Sequence, residues 1–341
     1  MTDPTPDRAR GPEDTAAPRR GRGVPVGDVV LAVDVSGSRC SVGLVTMQGE
    51  LIDRDVAAID ADVQADALFA ILQGLIDSQL ERARGHHHVR PVAVGVGCDG
   101  PISPGCETVS PISISSWRNF PLRERLTMAT MLPVYGDLDA KALALAEGWL
   151  GAAQGRESFM AITVSTGVGG GIVLNGQLLD GAMGNAGGIG HLIVEPNGRR
   201  CTCGARGCLE AEASGLAVEA ITGRPPSSPT YEIMQRTGRL VGRAAASVCN
   251  LLDLDLVVVG GSVALGFGAT FFNSAQETMD EHTKLAFSRG ARITPVRLGE
   301  QGPLIGAGAV GVRGIHRARR APRPAPVVPV PERGTQSEEH D

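Results

Sequence analysis

Two segments of this chain follow one plan, and that repetition constrains the fold more than any other feature. Residues 29–52, VVLAVDVSGSRCSVGLVTMQGELI, and residues 159–179, FMAITVSTGVGGGIVLNGQLL, each begin with an apolar, β-branched run that ends in a turn of small residues. A second apolar run follows, and an x-Gly-x step leads into a third. Both copies read as β-hairpins extended to three-stranded meanders. Helix-like stretches come after each, at 62–84 in the first half and at 213–220 and 231–252 in the second. The pattern predicts duplicated α/β domains facing each other across a cleft, where small ligands bind.

The turns carry a chemical hint. Ser36, Gly37 and Ser38 in the first copy, and Ser165, Thr166, Gly167, Gly169, Gly170 and Gly171 in the second, put bare N–H groups and short hydroxyls at strand ends. That arrangement suits phosphate oxygens. The competing explanation is a tight hairpin that needs glycine for positive φ. Matching turns in both copies favour the phosphate reading. A third turn, in LVVVGGSVALG at 256–266, adds Gly260 and Gly261 as a candidate nucleoside contact. No G-x-x-x-x-G-K-[ST] occurs, and the chain's two lysines are Lys141 and Lys284, so a P-loop enzyme is excluded.

Residues 184–210, GNAGGIGHLIVEPNGRRCTCGARGCLE, hold His191 and the C-x-C-x4-C set Cys201, Cys203 and Cys208, with LIVEP reading as a short strand between them. Four such donors suit a closed, tetrahedral, structural zinc site that pins a loop. A disulfide is the weaker reading, since three local cysteines leave one unpaired and no secretory signal is visible. Buried thiols beside a core histidine are the bland alternative. A zinc signature also implies a reducing, cytoplasmic setting.

At 341 residues the chain has room for two substantial cores. No apolar run reaches the roughly 20 residues of a membrane span. A net charge of -5 and 3% aromatic residues argue against a nucleic-acid surface, which wants a basic face with stacking rings. Residues 1–27 and the Pro-rich 316–341 read as disordered tails around a body of about 28–315. Asp3, Asp7, Glu13 and Asp14 argue against a transit peptide.

Within the body, DVSGS, DLDAKALALAE, VSTGVGGGIV, GNAGGIGH, CTCGARGCLE, VVVGGS and GPLIGAGAVG occur in that order. The succession resembles the ROK family of bacterial sugar kinases and repressors, from Val29 to about Gly314. The resemblance implies a two-domain actin-like ATPase (ribonuclease H-like) α/β fold with a zinc loop. It divides the chain into a small domain at 28–136, completed by a C-terminal helix at 303–315, and a large domain at 137–302.

It further implies a kinase that uses ATP and Mg2+ to phosphorylate the 6-hydroxyl of glucose or a related hexose, working as a homodimer. Counting back from Glu147 places the family's general base at Asp139, though the bland reading makes Asp139 the N-cap of the helix AKALALAEGWL. Asp34 matches the first-strand aspartate near metal and phosphates. Gly37 with Ser38, and Thr166 with Gly167, Gly169 and Gly170, match the phosphate turns. His191 and Glu210 match residues that reach sugar hydroxyls, and His191 doubles as a zinc ligand.

Four departures bear on the substrate. Leu138 and Gly188 replace an asparagine and a glutamate that contact ring hydroxyls, Lys141 stands where a second asparagine is common, and the first turn reads SGS rather than GGT. Specificity is expected to relax or move, toward an aminohexose such as kanosamine or an N-acetylhexosamine. A non-catalytic sugar-binding paralogue is a further alternative. A ROK repressor is disfavoured, because the 27 residues ahead of the first strand are too few and too irregular for a helix-turn-helix. His86, His87 and His88 read as an exposed loop, Cys98 and Cys106 as reduced thiols near the pocket, and Trp117 as small-domain packing.

Overall fold

The computed structural model describes residues 27–60 and 63–320. Of the expected tails at 1–27 and 316–341, residues 1–26 and 321–341 lie outside the described residues, whereas 316–320 are helical rather than tail. Ten strands form two sheets. The first contains β1 (Asp28–Ser36), β2 (Arg39–Thr46), β3 (Leu51–Ala58), β4 (Arg90–Cys98) and β5 (Val134–Leu138), in the order β3-β2-β1-β4-β5. The second contains β6 (Phe159–Val164), β7 (Val168–Leu174), β8 (Gln177–Leu178), β9 (Leu256–Gly260) and β10 (Arg292–Pro295), in the order β8-β7-β6-β9-β10.

The two sheets have the same wiring. β1 pairs antiparallel with β2 and parallel with β4, just as β6 pairs antiparallel with β7 and parallel with β9. This is the duplication that the repeated meander announced. β1 is buried along nearly its whole length, so it reads as an apolar run broken only by Asp34, whereas the edge strand β3 alternates and shows Asp53, Arg54 and Asp55. A strand covered on both faces cannot alternate, and charges on an edge discourage further pairing.

Helices α1 (Ala65–Gly85) and α2 (Leu122–Thr130) cover the first sheet, and α6 (Tyr231–Leu252) and α7 (Ser262–His282) cover the second. α4 (Leu209–Ala213) and α5 (Gly215–Thr222) follow the zinc loop. Helices were expected at 62–84, 213–220 and 231–252. The third matches α6, the first is α1 shifted to start later, and the second is divided by Ser214, whose hydroxyl caps α5 through the Ala217 N–H.

The remaining two helices are exchanged between the sheets. α3 (Asp139–Trp149) follows β5 yet packs against β6 and β7, while α8 (Gly302–Arg320) follows β10 and lies across β1, β4 and β5. α3 and α8 touch each other, so they join the two halves. α8 also runs past the expected 303–315 to Arg320, because Arg317 finds Asp180 at 3.1 Å. LIVEP is not a strand. It makes one isolated bridge, Ile193 to Cys208, and Val194 and Glu195 donate to the Gly207 carbonyl, so the cysteine loop takes up the backbone bonds a strand would need.

Candidate active site

The carboxyl ends of the central strands converge on the cleft, the usual place for a ligand in sheets of this kind. Asp34 near the end of β1 is almost fully buried, and its Oδ1 lies beside Gly97 of β4. Asp139 opens α3 beside the same face of Gly97 and reaches toward Gly169 of β7. One carboxylate thus comes from the floor of the first sheet and another from the helix that crosses to the second.

Asp139 is not the N-cap. That position falls on Leu138, which is extended and makes no side-chain cap, because β5 passes into α3 without a connecting turn. Asp139 sits one residue inside, and its Oδ1 accepts from the Ala140 N–H at 2.7 Å. Burial pushes its pKa up to about 7, and the carboxylates of Asp99 and Asp34 push the same way. Burial raises Asp34 to about 6, partly offset by Arg39. Both remain anions at slightly alkaline pH while holding protons far more readily than exposed carboxylates.

The glycine turns come together as expected, but not for the reason of backbone freedom. Gly37, Gly167, Gly169 and Gly170 all lie outside the left-handed region. What requires glycine at 170 is close approach, since a Cβ there would meet the Gly187 carbonyl oxygen at 2.6 Å. Gly261 is different, with φ of 96° at the start of α7. The first hairpin faces the second across the cleft: a Cβ on Gly37 would lie 2.5 Å from Ser113 and 3.8 Å from Thr166. Ser165 meets Ser262 at 3.0 Å, which brings the Gly260–Gly261 turn and the N-terminus of α7 to the same place. Hairpin amides and a long helix's N-terminus together favour anionic oxygens.

Glu210, at the second position of α4, closes the far side. Its Oε2 accepts from the Val168 N–H at 2.6 Å and lies against Gly167 and Gly190, which ties the second phosphate turn to the segment carrying His191. Burial pushes its pKa up to about 7, against the pull of that N–H bond. Ile189–His191 form a single 3-10 turn, and His191 turns Nδ1 toward Cys201 Sγ at 3.8 Å. Cys203 and Cys208 sulfurs are 3.7 Å apart, and all four donor atoms lie within 4.8 Å of one another. Tetrahedral zinc–thiolate bonds of about 2.3 Å separate two sulfurs by about 3.8 Å, so the donor set has the chemistry and spacing of a closed zinc site.

Several contributors escaped the sequence reading. Asp99, directly after β4, accepts from Ser113 Oγ at 2.5 Å and stands near Asp139 and Glu210. Its signal was position, a carboxylate at the end of a central parallel strand like Asp34. Glu212 accepts from the Arg199 N–H at 2.5 Å and pairs with Arg236, which braces the cysteine loop from α6. Leu138 turns away from polar company and packs on Gly100, while Gly188 is exposed with nothing nearer to its missing side chain than the Asn185 carbonyl at 4.0 Å.

Of the residues set aside, only His87 departs from expectation, being half-buried rather than in an exposed loop. Trp117 is fully buried and stacks on Phe120 at 4.3 Å. His87 pairs with Asp53 at 2.8 Å, and His191 with its cysteines is the one metal-type cluster among the described residues. Cys98 and Cys106 are free, buried thiols with raised pKa, owing to burial. No helix among the described residues is long and apolar enough to cross a membrane.

Two identically wired sheets that exchange their last helices around a carboxylate-floored cleft define the actin-like, ribonuclease H-like ATPase fold. The ROK family model matches residues 30–312, and the chain belongs to that family. A glucokinase of Halalkalibacterium halodurans is 30% identical over 311 residues, covering 82% of this chain and 93% of the relative. An N-acetylmannosamine kinase of Yersinia pestis is 37% identical over 254 residues, covering 70% of this chain and 84% of the relative. The crystal structure of a ROK family glucokinase from Streptomyces griseus, in complex with glucose and AMPPNP, superposes with a TM-score of 0.73 at 25% identity, covering 84% of this chain and 100% of that one.

Proposed function

We propose that this chain is an ATP-dependent hexose kinase that moves the γ-phosphoryl group of ATP to the 6-hydroxyl of glucose or a related hexose. The observation that carries the reading is the place of Asp139: a half-buried carboxylate, with its pKa pushed up to about 7, between two facing phosphate-type turns. A general base works best when its pKa lies near the working pH.

In this reading the hydroxyl of the sugar hydrogen-bonds to Asp139, which takes its proton as the oxygen attacks phosphorus and the γ-phosphate leaves ADP. Amides around Gly37, Ser38, Thr166, Gly167, Gly169 and Gly170 receive the phosphate oxygens, and Gly260 with Gly261 meets the nucleoside. Asp34 would help hold Mg2+, which would supply charge neutralisation on the transferring group. His191 and Glu210 orient the sugar from the zinc-pinned side, where His191, Cys201, Cys203 and Cys208 hold a structural ion. Three thiolate ligands suit a reducing cytoplasm. The halves divide after β5, at 138/139 rather than the expected 136/137, and again near 302/303 where α8 returns to the first sheet, and the protein works as a homodimer.

An N-acetylated or amino hexose is the second reading, favoured by the N-acetylmannosamine kinase relative and by the open space at Gly188. The test is a panel of hexoses, aminohexoses and N-acetylhexosamines with ATP, with the product's phosphate position fixed by phosphorus–proton NMR. A 6-phosphate from at least one sugar supports the reading. No sugar-dependent ADP release from any of them rejects it.

A further inference from the structure

Lys141 is buried to 1% exposure on α3, two residues beyond Asp139. Its ammonium meets Asp137 Oδ1 at 2.6 Å, the Gly184 carbonyl at 3.0 Å and Asp180 Oδ1 at 3.5 Å. Arg313 of α8 joins the same group, reaching Asp180 at 3.0 Å and Asp137 at 3.4 Å. A buried charge is tolerated only with its partners in place, so each link restricts the others. The group fixes the stretch after β8 against both exchanged helices.

The next residue along that stretch reaches the other way. Asn185 Oδ1 accepts from the Ile102 N–H at 3.2 Å, and Asn185 Nδ2 donates to the Ile102 carbonyl at 2.9 Å and to that of Met183 at 2.9 Å. A side-chain amide, with its oxygen acceptor and two N–H donors, is well suited to give and take with one backbone residue while bonding a third group. Ile102 is buried in the first sheet's core and follows Asp99 in the loop beyond β4. Gly184 also lies over Pro104 of that loop. The bond pair therefore crosses from the segment that leads to Gly188 and His191 to the segment that carries Asp99.

We propose that Lys141 and Asn185 are positioning residues that hold residues 180–188 as a strap across the cleft, with Lys141 fixing its root on α3 and Asn185 fixing its crest on the Asp99–Ile102 loop. The strap sets the spacing between two walls of the sugar pocket, a role that rests on reading the cleft as a hexose site. When a pocket is preformed in only a fraction of molecules, apparent affinity falls by that fraction. Loss of the strap acts on sugar binding first, because Asn185 bears on the Asp99–Ile102 loop. The strap meets the phosphate turns through the backbone contact of Gly187 with Gly170, which neither substitution removes.

The test compares wild type, Asn185→Ala, Lys141→Met and the double variant, using the full chain and the hexose that wild type turns over best. Asn185→Ala is expected to raise the KM for hexose about tenfold, with the KM for ATP and kcat within about threefold, as expected for lost pre-organisation. Because both residues hold one strap, the double variant is expected to exceed the worse single variant by less than about twofold. Hydrogen exchange gives a readout that needs no sugar: Asn185→Ala should speed exchange in 100–104 as well as in 181–187. Unchanged exchange in 100–104, an unchanged hexose KM, or hexose and ATP KM values rising together would each overturn the proposal. Failure of wild type to turn over any hexose rejects the kinase reading and the positioning role with it, while the exchange arm still reports whether the strap exists.

Discussion

Lowering the pH should switch the enzyme off before it unfolds it. Asp139 must be ionised to accept a proton, and burial with two neighbouring carboxylates pushes its pKa up to about 7. One unit lower, at pH 6, about a tenth of the molecules carry the ionised form, so kcat/KM for the sugar should be about tenfold below its plateau. Replacing Asp99 by Asn removes the first of the two charges that raise Asp139 and should move the acid limb to lower pH, while Asp34 still acts. The same shift has a stability sign. A carboxylate that binds protons more tightly folded than unfolded costs stability above its folded pKa, and that cost fades as pH falls toward the ordinary carboxylate value of 3.8. A shift of this size, at about 1.4 kcal/mol per unit, corresponds to about 4 kcal/mol. Asp139→Asn should therefore melt higher than wild type at pH 8 and keep less than about half of that advantage at pH 5. The assays are kcat/KM from pH 5.5 to 8.5 and thermal melts of both proteins. A flat rate profile down to pH 5.5, or an Asp139→Asn variant that is less stable at pH 8, would refute the reasoning.

Three further outcomes follow from named contacts. Glu147 is fully buried without a cation and accepts from the N–H groups of Ala152 at 2.6 Å, Arg297 at 3.1 Å and Leu298 at 3.1 Å. Glu147→Ala strands those donors and should cost about 3–5 kcal/mol, a fall in Tm of roughly 10 °C, and a change under about 2 °C would contradict it. Cys203→Ser should lower zinc content and Tm together as the loop opens, checked by metal analysis and melting, and a metal-free wild type that is fully active and stable would overturn the zinc assignment. Gly188 faces open space, so Gly188→Glu should fold normally and sharpen selection for glucose over 3-deoxyglucose. Wild type already preferring glucose by more than about 1000-fold would show that another residue reads that hydroxyl.

What could be read from the sequence was whatever repeats locally. The two meanders announced identical sheets because strand pairing and turn chemistry are set within about 20 residues, and C-x-C-x4-C with His191 announced a cluster for the same reason. Exchange of α3 and α8 between the sheets was not legible from the residues themselves, since nothing in AKALALAEGWL says which sheet its apolar face will meet. Asp99, Lys141 and Asn185 were missed in their roles because their partners lie far along the chain: Asn185 with Ile102, and Lys141 with Asp180 and Gly184. LIVEP misled because its apolar residues satisfy a strand pattern while its backbone bonds go to the cysteine loop.

The account stands or falls on Asp139 as the base. The most direct measurement is sugar-dependent ADP release by Asp139→Asn beside wild type at pH 8, with nucleotide binding measured on the same samples. The expected result is turnover lower by a factor of about 100–10000 with nucleotide affinity kept, since the variant removes a proton acceptor and leaves the phosphate turns in place. Near-wild-type turnover in a folded, nucleotide-binding variant would contradict the account.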